Sequence, residues 1–213
     1  MNNMIQARLV FEENINQAKK LGSLYQYLSA VAMIPESFED LLRAQIVYSL
    51  SAFDKLIHDL IRIGMVQIFI GARLPTTKYQ SEAIPIKYLP QLTLGSSPPP
   101  EIRFHDIVRE KFSKVSYQDP DKISDGLGLI WDESHKWQKI ASELGMTESS
   151  IRQRQRLIAS RRNAIVHEAD LDAVTNTKQT INLADAQQSS DFLLQLGIRI
   201  CDLVDLPLHP AGH

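Results

Sequence analysis

Apolar side chains recur along this chain at intervals of three and four, and no stretch alternates convincingly between apolar and polar positions. That spacing predicts helices that each bury one stripe. Residues 3–32 give the first, within an N-terminal unit of 1–35 that Pro35 closes. Its apolar positions are Ile5, Leu9, Val10, Ile15, Ala18, Leu21, Leu24, Tyr25 and Leu28. Ser37, with Asp40 three residues on, then reads as a helix start. The helix that follows carries Phe38, Leu41, Leu42, Ile46, Leu50, Phe53, Ile57, Leu60 and Ile61 as a long apolar stripe. Running over 36–70, it would span roughly 50 Å and form the spine of a bundle.

The pattern then breaks. Six of the ten prolines lie within residues 74–100. Proline fixes φ and removes a backbone donor, so no long helix crosses this stretch; it reads as an irregular excursion with room for a short piece near 81–91. Helical spacing resumes at 101–115, with Ile102, Ile107, Val108 and Phe112 inward, and again at 133–144, where Gly145 is the stop. Thr147 is the next N-cap. Residues 119–121 and 126–128 are punctuation, 170–178 a polar connection, and 183–206 a last helix through Phe192, Leu193, Leu196, Ile200 and Leu203. The expectation is an all-α bundle of five to seven helices, one domain over residues 1–213.

Composition narrows the function. A formal charge of -2 argues against a global polyanion binder, while 44% hydrophobic and 23% charged residues are ordinary globular values. The single cysteine, Cys201, excludes an intramolecular disulfide and fits a reducing cytoplasm. It and the two tryptophans, Trp131 and Trp137, are most simply core. No basic-then-apolar leader opens the sequence, and the richest apolar run, 61–71, is broken by Arg62, Gly64 and Gln67, so no membrane span is expected. There is no glycine-rich phosphate loop, zinc-protease motif or nucleophile elbow. No metal or cofactor is expected.

Local charge points elsewhere. Arg152, Arg154, Arg156, Arg161 and Arg162 crowd into eleven residues of a helix over 150–167 that begins amphipathic and ends in Arg162-Asn163-Ala164-Ile165-Val166-His167. Asn163 and His167 are four apart and share a face. Arg162 lies about 140° from His167 and can join it only by reaching around, or if the helix loosens near its end. A histidine beside an arginine and an amide fits metal-independent RNA cleavage. The ribose 2′-OH attacks the adjacent phosphate, imidazole moves the proton, and guanidinium neutralises the developing charge.

These residues carry a resemblance. The segment 161–170, with 50–60 upstream, resembles the RiboL-PSP branch of the HEPN superfamily of small helical RNases and nucleotide-binding proteins, over roughly residues 36–206. The resemblance implies Arg162, Asn163 and His167 as catalytic residues, and an endoribonuclease leaving a 2′,3′-cyclic phosphate. One histidine serves one proton transfer and the reaction wants two. Relatives pair two protomers with motif helices facing, which implies a homodimer with a composite site. A prokaryotic toxin–antitoxin or phage-defence setting, with a neutralising partner encoded elsewhere, comes with the same resemblance.

Around that centre, Arg152, Arg156 and Arg161 are candidates to hold RNA phosphates, although arginines on alternate residues spread around a helix and suit a solvated face equally well. Asp54 and His58, four apart on the spine helix, lack the further ligands a metal needs; they read as a buried polar pair or, with Asp170, as side chains that back the motif residues. A rival motif overlaps. Ala141, Gly145 and Ile151 stand at the spacing of a DNA-binding helix-turn-helix over 137–156, which would present Ser149, Ser150, Arg152, Gln153 and Arg156 to a duplex. Arg154 stands where that motif packs an apolar residue, so a plain helical hairpin is the simpler reading. A third possibility is a catalytically silent HEPN protein that binds a nucleotide or a partner.

Overall fold

The computed structural model describes residues 4–31, 37–92, 97–172 and 174–205. Among them the chain is all-α. Eight α-helices and one 3₁₀ helix account for the secondary structure, apart from one isolated bridge between Leu171 and Lys178. The helices are α1 (Met4–Val31), α2 (Glu39–Phe69), α3 (Thr77–Ser81), α4 (Pro100–Phe112), α5 (Pro120–Leu127), α6 (Lys136–Leu144), α7 (Glu148–His167) and α8 (Leu183–Val204).

Helix α2 is the expected spine. Its 31 residues extend for about 46 Å. Side chains are buried around more than half of its circumference, from Leu42 to Ile68, while Tyr48, Ser51 and Lys55 form an exposed stripe. It packs against α1, α4, α5, α7 and α8. Ser37 does accept the Glu39 N–H, although the cap position itself is Phe38. One contiguous core takes in Trp131, Trp137 and Cys201 as expected, together with Phe11, Phe53, Phe104 and Tyr117. Burial holds the Cys201 thiol up at about 12, so it stays protonated and inert.

Three expectations need correction. Helix α1 buries Met4, Ala7, Phe11, Ile15, Ala18 and Gly22, while Ile5, Leu9, Val10 and Leu24 are exposed. The helix carries two apolar stripes, and the one with small residues faces inward because it lets neighbouring backbones approach. In α4, Phe104 is buried and Ile102 exposed. The helix count exceeds the expected five to seven through two short elements. One is α3, inside the proline-rich excursion, with Thr76 capping Tyr79 N–H. The other is α5, where Asp119-Pro120-Asp121 begins a helix rather than a turn: Asp119 caps the Asp121 N–H and Pro120 takes the first position. The 3₁₀ helix Ile86–Leu92 fills the place where a short piece was expected.

Helix α8 passes closest to its neighbours at Gly197. A Cβ there would land on the edge of the buried Phe11 ring and 3.0 Å from a Leu56 methyl. Alanine gains about 1 kcal/mol over glycine in a helix interior, but overpacking a filled core costs about 1–3 kcal/mol. Gly197→Ala is therefore expected to lower the unfolding free energy in a urea titration, against the sign of helix propensity.

Candidate active site

The end of α7 is set by local chemistry at both termini. Gly145 stops α6 in the left-handed region at φ 62°, and the Thr147 side chain accepts the Ser150 N–H at 3.2 Å, as the sequence predicts. Helix α7 then stays regular through His167, with Glu168 N–H bonded to the Ala164 carbonyl. It does not loosen, so Arg162 joins the site by reaching around. Its guanidinium donates to Asn163 Oδ1 at 3.1 Å, and its Nε is buried without a partner among the described residues. Arg162, Asn163 and His167 line one open cavity of about 620 Å³, with Asn163 and His167 exposed to solvent.

The facing wall was not foreseen. Ser116, Gln118 and Asp119 come from the segment between α4 and α5, and Lys122 from the first turn of α5. Lys122 has no hydrogen-bond or ion-pair partner among the described residues. The signal lay in the residues read as punctuation, since a helix that starts at Pro120 carries Lys122 towards α7. Gln155 fixes this wall by donating to the Gln118 carbonyl at 3.0 Å.

The flanking arginines do not form a free basic track. Arg152 is paired with Glu148 and Asp121, and Arg156 with Asp121 at 2.9 Å and Asp119 at 3.7 Å. Of these two, Arg156 reaches the cavity lining and Arg152 does not. Arg154 turns the other way, over the Phe192 ring. Arg161 is a strut: it donates to Asp170 at 2.9 Å and to the Gln179 side chain and the Thr180 carbonyl. Helices α6 and α7 form a helical hairpin with Ala141 and Ile151 buried, an arrangement that both readings of 137–156 share.

Asp170 sits at the centre of an ion triad. Its side chain is 1% exposed, and its Oδ2 accepts from Arg161 of α7 and, at 2.6 Å, from Arg43 of α2. Far from being a solvated connection, the turn after α7 passes through two left-handed residues, Ala169 at φ 52° and Asp170 at φ 60°. Asp170 N–H then returns to the Ala164 carbonyl, inside the motif. Asp170 thus holds the last turn of α7 against the spine without touching the cavity.

Asp54 and His58 hold the opposite wall. Their closest approach, 3.9 Å, is too long for a hydrogen bond. Each instead pins the segment 113–119: Asp54 Oδ1 accepts the Tyr117 N–H at 2.5 Å, and His58 Nε2 donates to the Val115 carbonyl at 3.0 Å. The Tyr117 ring meets the His58 ring edge-on at 4.6 Å. Burial raises the Asp54 carboxyl above its ordinary range, against the pull of the Tyr117 N–H, His58 and Arg162. Asp54 is therefore electrostatically in touch with the motif arginine. Among the described residues, no group of three His, Cys, Asp or Glu side chains is placed to hold a metal ion.

A long central helix, a motif helix ending in Arg162 to His167, and an all-α frame define a HEPN domain. The sequence matches the RiboL-PSP-HEPN family over residues 12–205, and the chain belongs to that family. Membership points to an RNase-type or nucleotide-binding function. The chain matches no curated protein and no solved structure. No helix among the described residues is long and apolar enough to cross a membrane.

Two substitutions test this architecture. Asp170→Asn keeps the volume and removes the charge that the buried Arg43 and the half-buried Arg161 share; it is expected to cost about 3–5 kcal/mol in a urea titration. Asp54→Asn should do the opposite. Because the folded pKa of Asp54 is raised, its ionised form subtracts from stability above that pKa, and the penalty vanishes as pH falls through it towards the ordinary value of 3.8. Asparagine retains an acceptor for Tyr117 N–H. The variant should be more stable than wild type at pH 7 and equal to it at pH 3.

Proposed function

We propose that this protein is a metal-independent endoribonuclease of HEPN type. The observation that carries the reading is the convergence of Arg162, Asn163 and His167 on one open cavity, with Lys122 unpaired on the facing wall. In the reaction the ribose O2′ bonds to the adjacent phosphorus and the P–O5′ bond breaks, leaving a 2′,3′-cyclic phosphate and a free 5′-OH. One proton leaves O2′ and another reaches O5′. Imidazole suits either transfer near neutral pH. Arg162 offers a planar fork of donors to the charge that builds on the equatorial oxygens, and Asn163 holds that fork through its own Oδ1. Arg156 and Lys122 receive flanking phosphates, the former by exchanging its aspartates. Arg152 and Arg161, whose donors are taken up by protein, leave the RNA-binding set.

The site has one imidazole per chain, so we assign the second proton transfer to the partner's His167 in a two-fold homodimer. A cytoplasmic toxin or phage-defence role with a neutralising partner protein is part of the same proposal, and membership of the family supports it. A silent HEPN domain that only binds a nucleotide or a partner is the alternative.

Labelled single-stranded RNA incubated with the protein in EDTA should still be cut, with 2′,3′-cyclic phosphate ends. His167→Ala should slow cleavage about 10²–10⁴-fold, and Arg162→Ala by a similar factor, about 3–4 kcal/mol in the barrier. Arg162→Lys should not fully rescue, since a point charge cannot replace the fork. Both alanine variants should keep the wild-type urea midpoint. Wild-type cleavage by His167→Ala, or activity that disappears in EDTA and returns with Mg²⁺, would sink the mechanism. A protein that cuts no RNA at all would bring the silent reading forward.

A further inference from the structure

The segment 113–119 has a second side. Behind it, between α2 and α4, lies another cavity, of about 470 Å³. That volume is in the range of small-ligand sites. Lys55, Arg62 and Arg109 line it against two carboxylates, Asp54 and Asp59. Both carboxylates already have partners. Asp59 takes Lys55 and, at 2.6 Å, Arg62; Asp54 takes the Tyr117 N–H. Arg62 is further fixed by a close contact with His105 Nε2, and only 17% of its side chain is exposed. Arg109 is exposed and has no hydrogen-bond or ion-pair partner among the described residues. The lining thus holds three basic groups, one of them uncommitted, beside the half-buried ring of Phe112.

We propose that this second cavity binds the phosphate of a nucleotide, with the base against Phe112 and the phosphate at Arg109. A free mononucleotide and one nucleotide of an RNA strand offer the same chemistry. The binding claim stands apart from the cleavage reading. The cavity also shares a wall with the candidate active site. Asp54 and His58 line it, and the same two side chains pin Val115 and Tyr117, whose neighbours Ser116 and Gln118 line the other cavity. The Arg162 charge in turn bears on the Asp54 carboxyl. A ligand that moves Asp54 or His58 moves the wall opposite His167.

The test uses adenosine 5′-monophosphate, inorganic phosphate and a short single-stranded RNA with 2′-O-methyl groups, which cannot be cleaved. Calorimetry on wild type should show nucleotide binding that Arg109→Gln weakens roughly tenfold, the worth of one charge-assisted hydrogen bond, and that Arg162→Ala leaves in place. Arg109 is exposed, so the variant should fold. In NMR spectra, the imidazole resonance that His167→Ala deletes should shift as adenosine 5′-monophosphate is titrated into wild type, and the midpoint of that shift should move to roughly tenfold higher ligand in Arg109→Gln. Binding of the monophosphate or of phosphate points to a free nucleotide; Arg109-sensitive binding of the RNA alone points to a strand. The proposal is overturned if none of the three probes binds, if Arg109→Gln binds as wild type does, or if Arg162→Ala abolishes mononucleotide binding. Arg109-sensitive binding with no change at His167 overturns the coupling. Absence of RNA cleavage alongside these binding results would remove the nuclease reading and leave this site standing.

Discussion

Polar side chains on the buried face of a helix are costly to leave unpaired, and α2 buries three of them. Arg43, Gln45 and Ser49 are each 5% exposed or less. An unsatisfied buried polar group costs about 1–3 kcal/mol, so each of these residues needs a partner on another element, and each partner is thereby located. Arg43 fixes Asp170 and the end of α7. Gln45 and Ser49 converge on Ser190 of α8, both at 2.9 Å. Further along, the less deeply buried Asp54 and His58 fix the segment between α4 and α5. The two walls of the candidate site are therefore referenced to one rod. Apolar packing holds the bundle together, but these hydrogen bonds decide how its pieces are registered.

Much of this was legible beforehand. The periodicity of α2 and α8, the cap at Thr147, the stop at Gly145 and the end of α7 at His167 all depend on local chemistry, which sequence carries. The face of α1 was misread because large side chains drew the eye. Ala7, Ala18 and Gly22 contribute little area yet set the distance of approach to α2 and α8, and that is a property of the pair of helices. Helix α5 was hidden because Asp-Pro-Asp serves a turn and a helix start equally well. The polar connection at 170–178 concealed a buried carboxylate, since its burial depends on Arg43, 127 positions earlier in the chain, as well as on Arg161.

The arginines of α7 carry a related lesson. Five positive charges in eleven residues look like a nucleic-acid surface in one dimension. In three, Arg152 and Arg156 are neutralised by Asp119 and Asp121, Arg161 by Asp170, and Arg154 lies over an aromatic ring. Apart from Glu148, which also pairs with Arg152, the partners of the first three come from outside the helix and lie up to 37 positions away. Arg162 differs. It has one neutral hydrogen-bond partner within the helix and an idle Nε, so it faces the cavity with donors to spare. What sets the motif residue apart from Arg152, Arg156 and Arg161 is the absence of a carboxylate on it.

The aspartates at the start of α5 also bear on how a polyanion would arrive. A phosphate that reaches Arg156 must displace Asp119 and Asp121. Ordinary association with nucleic acid gains much of its free energy by releasing condensed cations into the bulk. Here an ejected aspartate recovers its own charge and attracts a cation in turn, so part of that release is undone. The rim of the cavity works as an ion exchanger that arrives already loaded. Strands that merely drift past gain little by trading one anion for another, and retention falls to contacts made deeper, at Arg162.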